Sequence, residues 1–478
     1  MNPVENAVLD QSIGLIILLI LSVIWVFLGW FWGRKAKSVD DYMLAGRRVG
    51  LALGTATAMA TWVTSNTTMV APQLALQMGI WGMIGYALGS VGLLLFAPMA
   101  SRIRQLMPTG YTSGDFFRLR YGTTAWRVFL VISVFYSLGW LISLGMAGGI
   151  LIHALCGIPY QVGLTAIMTI CVAYTLLGGL RAVIGTDFIQ VLVILVGIVV
   201  LGFLVIENVG FEQMHQNLTS DHPMLLDLLF PAAIMFLFNN LLFGMGEIFH
   251  SNVWWSRVFA FREGVGFKAY LLAGLFWTPV PIAAGFVALA APTIGLNIPA
   301  ADMVGPMMAA HLLGKTGAVL VFIIVFCSLA SSLDSLLAAT SDLLVQDFYV
   351  KHINPTAKPE QIRKVAVYTI LALGVGAWVI CMIRLTTLAS LLHFTGAFVA
   401  STIWPIIAGL YYRRASRTAC TAAMVLGSAA GFTAYFVIGF YVAALVGAAV
   451  SMVIVLAGFI WSKERFDWAQ LDESQGEK

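Results

Sequence analysis

Runs of about twenty apolar residues recur along the whole chain, the length a helix needs to cross the hydrocarbon core of a bilayer. Thirteen such spans are predicted: α1 over 11–33, α2 50–76, α3 79–101, α4 125–155, α5 160–178, α6 185–207, α7 224–249, α8 267–291, α9 316–345, α10 364–383, α11 387–411, α12 418–436 and α13 439–461. A β-barrel would show short segments of alternating hydrophobicity instead. The fold class is therefore an all-α integral membrane protein.

Polar residues break the apolar pattern inside three spans. The centre of α2, Ala60–Thr68, reads ATWVTSNTT, where Ser, Thr and Asn compete for backbone hydrogen bonds. In α7, Phe238–Ser251 combines Asn239, Asn240, Gly244, Gly246, Glu247 and His250. Interruptions in α2 and α7, five spans apart, mark an inverted-repeat transporter, with solute and ions held where helices unwind. In α9, Ser328, Ser331, Ser332 and Ser335 fall at i, i+3, i+4 and i+7, so four hydroxyls share one face, with Asp334 at its edge. Small residues let membrane helices pack closely. An acid at mid-bilayer instead points to a cavity, an ion or a partner, and an oxygen-only ligand set suits a hard cation. With Asp334 at the edge, the ion site is the reading adopted.

Composition agrees with the pattern: 60% of residues are hydrophobic and 10% charged. With the N-terminus outside and the C-terminus cytoplasmic, 24 of the 26 Lys and Arg residues fall in inside loops or the tail, and only Lys315 and Arg384 fall outside. This is the positive-inside asymmetry of a multi-pass protein of a plasma or inner membrane. Arg257, at the inner end of α7, reads first as one of these anchors. The first run, Ile13–Trp32, lacks the order of a cleavable signal peptide and is expected to stay. Cys156, Cys171, Cys327, Cys381 and Cys420 have no metal-ligand spacing and read as small core residues. No nucleotide-binding loop, zinc-protease motif or nucleophile elbow is present, so the chain is read as a non-enzyme, and ATP-driven transport by it is disfavoured. No nucleic-acid partner is expected.

Several other residues are candidates for the solute site. Trp62 and Asn66 lie in the α2 interruption, where Trp62 either floors a pocket or packs. Asn239 and Asn240 offer amides to a polar solute, or hydrogen-bond α2. Tyr86 on α3 and Glu247 on α7 face the same region. His393, at the start of α11, either titrates or bonds a neighbouring helix.

The motifs DYMLAGR (Asp41–Arg47), YTLLGGLRAVIGTDFIQ (Tyr174–Gln190), WWSRVFA (Trp254–Ala260) and SSLDS…QDFY (Ser331–Tyr349) resemble the sodium:solute symporter family. The segments Leu312–Leu320 and Lys268–Trp277 are most similar to its urea-transporter-like branch, whose members usually have more spans. The resemblance implies a LeuT-like fold with two inverted five-helix repeats. The domains are then 1–49, carrying α1; 50–207, the first repeat α2–α6; 208–411, the second repeat α7–α11; and 412–478, carrying α12, α13 and the tail. It implies a Na⁺ site between α2 and α9, formed by the carbonyls of Ala60, Val63 and Ser328 and the hydroxyls of Ser331 and Ser332. Asp187 matches an aspartate on the family's ion exit route, which in some members helps form a further sodium site; it reads equally as an N-terminal cap of α6. Asp334 and Glu247 depart from the better-known branches, and either acid could bind a second Na⁺, take a proton or pair with a cationic substrate. With Ser335, Asp187 and Asp334 are candidates for a second ion or a proton. The expected function is Na⁺-coupled import of a small polar solute (urea-like, sugar or amino acid), with a monomer sufficient. The alternative is an uncoupled or proton-coupled facilitator or channel.

Overall fold

The computed structural model describes residues 7–34, 38–384 and 386–472. Lys35, Lys37 and Lys478, which entered the orientation count, lie outside them. Among the described residues, twelve helices are long and apolar enough to cross a membrane. They are α1 Gln11–Gly33, α3 Ile80–Leu106, α4 Thr123–Cys156, α5 Tyr160–Leu177, α6 Gly179–Val209, α7 Pro231–His250, α8 Val265–Leu289, α9 within Ala301–Ile353, α10 Pro359–Cys381, α11 Leu388–Tyr411, α12 Arg417–Val437 and α13 Phe440–Trp461. The thirteenth span, α2, is split into Leu51–Trp62 and Ser65–Met78, each piece too short to cross alone.

Burial separates centre from periphery. Of the most apolar stretch of α9, 78% is buried, against 28% for α1 and 33% for α6, α10, α12 and α13. So α9 is the axis of the bundle, packed on α2, α4, α5 and α6, while α7 lies against α3 and α11. The outer helices turn apolar side chains such as Leu19, Val199 and Ile460 outward, as a lipid-facing surface requires.

Four sequence expectations are corrected. First, α7 is interrupted only at the last residue of the expected stretch 238–251. It runs unbroken to His250 and breaks at Ser251, whose extended backbone (φ −69°, ψ 130°) starts a second piece, Asn252–Ala260. The polar and small residues serve packing instead. A Cβ on Gly244 would lie 2.6 Å from the Gly89 Cα, and one on Gly246 would lie 2.8 Å from the Ala400 backbone. Close helix approach, not helix breaking, is their role.

Second, α6 begins at Gly179 rather than near 185, because a single positive-φ glycine (φ 53°, ψ −153°) turns α5 directly into α6. A Cβ there would strike the Tyr42 carbonyl at 2.7 Å. Asp187 therefore lies two turns inside α6 and caps nothing. Third, α9 starts at Val304 and kinks at Gly314. It continues in wider π-helical turns over Val345–Ile353. Fourth, Arg257 is not an interfacial anchor. The extension of α7 past Ser251 carries it into the interior, where it is fully buried. The segment 208–223 also holds an amphipathic helix, Phe211–Asp221, with Met214 and Leu218 turned inward.

Candidate functional site

The break in α2 frees backbone carbonyls that a continuous helix would have satisfied. Val63 (φ −80°, ψ 78°) and Thr64 (φ −84°, ψ 168°) form the link between the two pieces, and both are buried. Thr64 caps the second piece: its hydroxyl accepts from the Thr67 amide at 3.1 Å, and its own amide donates to Thr67 Oγ1 at 3.2 Å. The freed carbonyls face α9 and α8. Ala60 O accepts from Ser331 Oγ at 2.9 Å, Thr61 O from Ser332 Oγ at 3.1 Å, and Trp62 O from Trp277 Nε1 at 2.7 Å. Both serine hydroxyls also lie against Ser328 O, at 3.2 and 3.0 Å.

Four of the five groups expected to hold Na⁺ (Ala60 O, Ser328 O, Ser331 Oγ and Ser332 Oγ) are thus drawn into one cluster, with Thr61 O added. Val63 lies in the link itself. All these residues are fully buried. The donor set contains only neutral oxygens, which suits a hard cation and no soft one. Ser328 Oγ points elsewhere, to Ile324 O at 2.7 Å.

Thr61 connects this cluster to a second one. Its hydroxyl accepts from Arg257 Nη2 at 2.6 Å and lies 3.1 Å from Ser335 Oγ. Arg257 also donates to Ser335 Oγ at 2.7 Å, Thr57 Oγ1 at 3.0 Å, Val253 O at 3.0 Å and Asp187 Oδ2 at 3.4 Å. Thr57 in turn donates to Asp187 Oδ2 at 2.6 Å. Asp187 and Ser335 are thereby brought together, but around a guanidinium. Asp334 lies beside them, fully buried, and neither carboxylate oxygen has a hydrogen-bond partner among the described residues. Tyr174, its neighbour on α5, donates instead to Ala330 O at 2.7 Å.

On the other side of the α2 break is a small cavity lined by Trp62, Thr64, Tyr86, Trp140, Asn240, Glu247 and Trp277, among others. Four of the seven residues expected at the solute site line it: Trp62, Tyr86, Asn240 and Glu247. Glu247 accepts from Tyr136 Oη at 2.7 Å. Asn240 donates to Gly85 O at 2.6 Å, and His393 Nε2 lies 3.0 Å from its Oδ1, so His393 acts on the cavity through Asn240. Asn66 faces α4, accepting from Ser143 Oγ at 2.9 Å. Asn239 is turned away; its Oδ1 accepts from the Ala444 and Leu445 amides at 2.8 and 3.1 Å and so caps α13.

Trp140 and Trp277 were not singled out from sequence, and Arg257 was read only as an anchor. A signal for the tryptophans existed: Trp normally sits at the membrane interface, and both lie in the middle of long spans.

Two broken helices five spans apart, meeting a central oxygen-lined helix and a cavity beside the break, define a LeuT-fold secondary transporter. A profile described as the sodium:solute symporter family matches residues 42–427. The chain belongs to that family. It is 27% identical to the urea-proton symporter DUR3 of Oryza sativa subsp. japonica over 90% of this chain, and spans 66% of that protein's length. It is 24% identical to the osmoregulated proline transporter OpuE of Bacillus subtilis (strain 168), over 88% of each chain. The fold matches a Na⁺-coupled sialic acid symporter in its substrate-bound outward-open state with a TM-score of 0.78, at 17% identity, covering 95% of this chain and 99% of that one.

Proposed function

We propose that this chain is a sodium-coupled symporter that imports a small polar solute by alternating access. The observation that carries the reading is the buried all-oxygen cluster formed where the freed Ala60 and Thr61 carbonyls of α2 meet Ser331 and Ser332 of α9. A Na⁺ ion there would tie α2 to α9. Residues 60–61 bear the ion ligands, and Trp62 and Thr64, one and three residues further on, line the solute cavity. Holding the break in one conformation holds the cavity wall, so ion and solute each raise the other's affinity. Asp187 lies on the ion's exit route in this reading. The N-terminus is external and the C-terminus cytoplasmic, on the strength of the basic-residue asymmetry. The solute falls among ureas, amino acids and sugars or their close relatives, and one chain suffices for transport.

A second reading, proton coupling, is favoured by the partnerless carboxylate of Asp334. Purified protein in proteoliposomes separates the two. An inward Na⁺ gradient at equal pH should drive accumulation of a labelled solute from a panel of ureas, amino acids and sugars. Accumulation driven by a pH gradient without Na⁺ would establish the second reading, and equilibration without either gradient would establish a facilitator.

A further inference from the structure

The cavity beside the α2 break is chemically lopsided. Its walls are aromatic: the Trp62 ring packs edge-on to Trp140 (centroids 6.3 Å apart, 79°) and tilted against Trp277 (5.6 Å, 37°), and Tyr86 continues the wall beside Trp277 at 6.1 Å. Among the lining residues Glu247 is the only one with an ionisable carboxylate, and none is a Lys, Arg or His. Glu247 is buried, and its hydrogen-bond partner among the described residues is the neutral Tyr136 hydroxyl. The nearby imidazoles face other groups: His250 Nε2 lies 3.0 Å from Ser133 Oγ, with its Nδ1 unpartnered among the described residues, and His393 lies 3.0 Å from Asn240 Oδ1 and 2.7 Å from Ala389 O. The guanidinium of Arg257 is held by its own five acceptors on α2, α6, α7 and α9.

A carboxylate in such surroundings is costly unless a positive charge arrives with the ligand. The other lining groups have little polar capacity left. The Asn240 amide donates to Gly85 O and Tyr86 O and accepts from His393, and the Trp277 N–H donates to Trp62 O. What remains for a ligand is the Glu247 carboxyl group, the Trp62 N–H, which has no partner among the described residues, and several indole and phenol faces. Desolvated ring faces attract cations by about 2 kcal/mol or more, with Trp the strongest. A sugar would find few free hydrogen-bonding partners here. As these side chains stand, the space between them has room for about one water, so a solute of a few heavy atoms enters only when the aromatic walls part.

We propose that the transported solute is a small organic cation, an amidinium or alkylammonium, with its charge at Glu247 and its body on the faces of Trp62, Trp140 and Trp277. This rests on the reading of the cavity as the solute site of a symporter. The cation is then cargo beside the coupling ion, and each cycle moves more charge than a neutral solute would.

Guanidinium and urea form a matched pair for the test, since both are planar and of similar size, and only one is charged. Tetramethylammonium and tert-butanol form a second pair. The full chain in nanodiscs is titrated with each at millimolar concentrations, with Na⁺ present, while tryptophan fluorescence reports occupancy of the indole-lined cavity. Wild type should bind each cation at least about tenfold more tightly than its neutral counterpart, and Glu247→Gln should abolish that preference. Urea binding as tightly as guanidinium in wild type, or no cation response at all, overturns the proposal. So does a preference that survives in Glu247→Gln. If that variant does not fold, Trp140→Leu, which removes one ring face, should weaken cation binding selectively, and an unchanged preference there also overturns the proposal. Thermal stabilisation by NaCl over KCl, measured in the same samples without solute, reports the ion cluster separately. Its loss would count against sodium coupling and leave the cation question to the titrations.

Discussion

At the scale of single residues, the most informative side chain is Arg257. It is fully buried in a membrane protein and reaches four other residues through side-chain oxygens, Thr57, Thr61, Asp187 and Ser335, besides the Val253 carbonyl. Removing one member of a buried ion pair strands the other and costs about 3–5 kcal/mol, while removing both costs less. Arg257→Gln and Asp187→Asn should each lower the melting temperature in detergent, and the double variant should recover part of the loss. Strictly additive losses would show that the two groups stabilise the fold independently. The role of Arg257 was not legible in the sequence because basic residues at span ends usually mark the inner interface. Only the break of α7 at Ser251, the last residue of the stretch expected to interrupt it, brings the WWSRVFA segment inside. The hydroxyl face of Ser328, Ser331, Ser332 and Ser335 was legible, because the helical period sets residues i, i+3, i+4 and i+7 on one side without tertiary information.

At the scale of elements, the spans were legible because each must be apolar over its whole length, while their interruptions were legible only in part. In α2 the cluster of Thr, Ser and Asn does unwind the backbone, and Thr64 caps the second piece, Ser65–Met78. In α7 similar residues leave the helix intact, because neighbouring helices take up what they offer: Gly85 and Tyr86 carbonyls for Asn240, and the Gly89 backbone against Gly244. Sequence pattern registers the presence of a polar or small residue, and tertiary packing decides whether it breaks a helix or joins two. The Gly89–Gly244 contact also sets the width of the cavity, since both residues line it. Gly244→Ala would push a Cβ to 2.6 Å from the Gly89 Cα, forcing α7 away from α3. The expected result is a raised KM for solute, by about tenfold for a misplacement of roughly 1 Å, with Na⁺ binding in the absence of solute unchanged. An unchanged KM would mean that the α3–α7 spacing does not shape the solute site.

At the scale of the whole molecule, the bundle is tied together at one end, which is the cytoplasmic end in the proposed orientation. Asp347, in the π-helical end of α9, accepts from Thr112 Oγ1 at 2.6 Å and Trp126 Nε1 at 3.0 Å, and pairs with Lys351 Nζ at 3.2 Å. Lys351 also pairs with Asp115 of the short helix Ser113–Tyr121. Asn252 adds the second piece of α7, accepting from the Ser113 amide at 2.9 Å and donating to Ala339 O at 2.8 Å. Alternating access requires this latch to open. Lys351→Met should raise hydrogen–deuterium exchange in Ser113–Tyr121 and Val345–Ile353 together. A rise confined to Val345–Ile353 would show that Lys351 merely orders its own turn. This cluster was not legible in the sequence, because it joins three stretches far apart in the chain, 112–126, Asn252 and 347–351.

The account turns on whether the oxygens shared by α2 and α9 bind Na⁺. Equilibrium binding of radioactive sodium to the purified full chain tests that without knowledge of the solute. Wild type should show saturable binding that excess K⁺ does not displace, and Ser331→Ala and Ser332→Ala should each weaken it by about tenfold or more, since a dehydrated cation cannot spare a ligand. No saturable binding in wild type, or binding unchanged in both variants, would contradict the sodium-coupled reading and leave the serine face of α9 as helix packing.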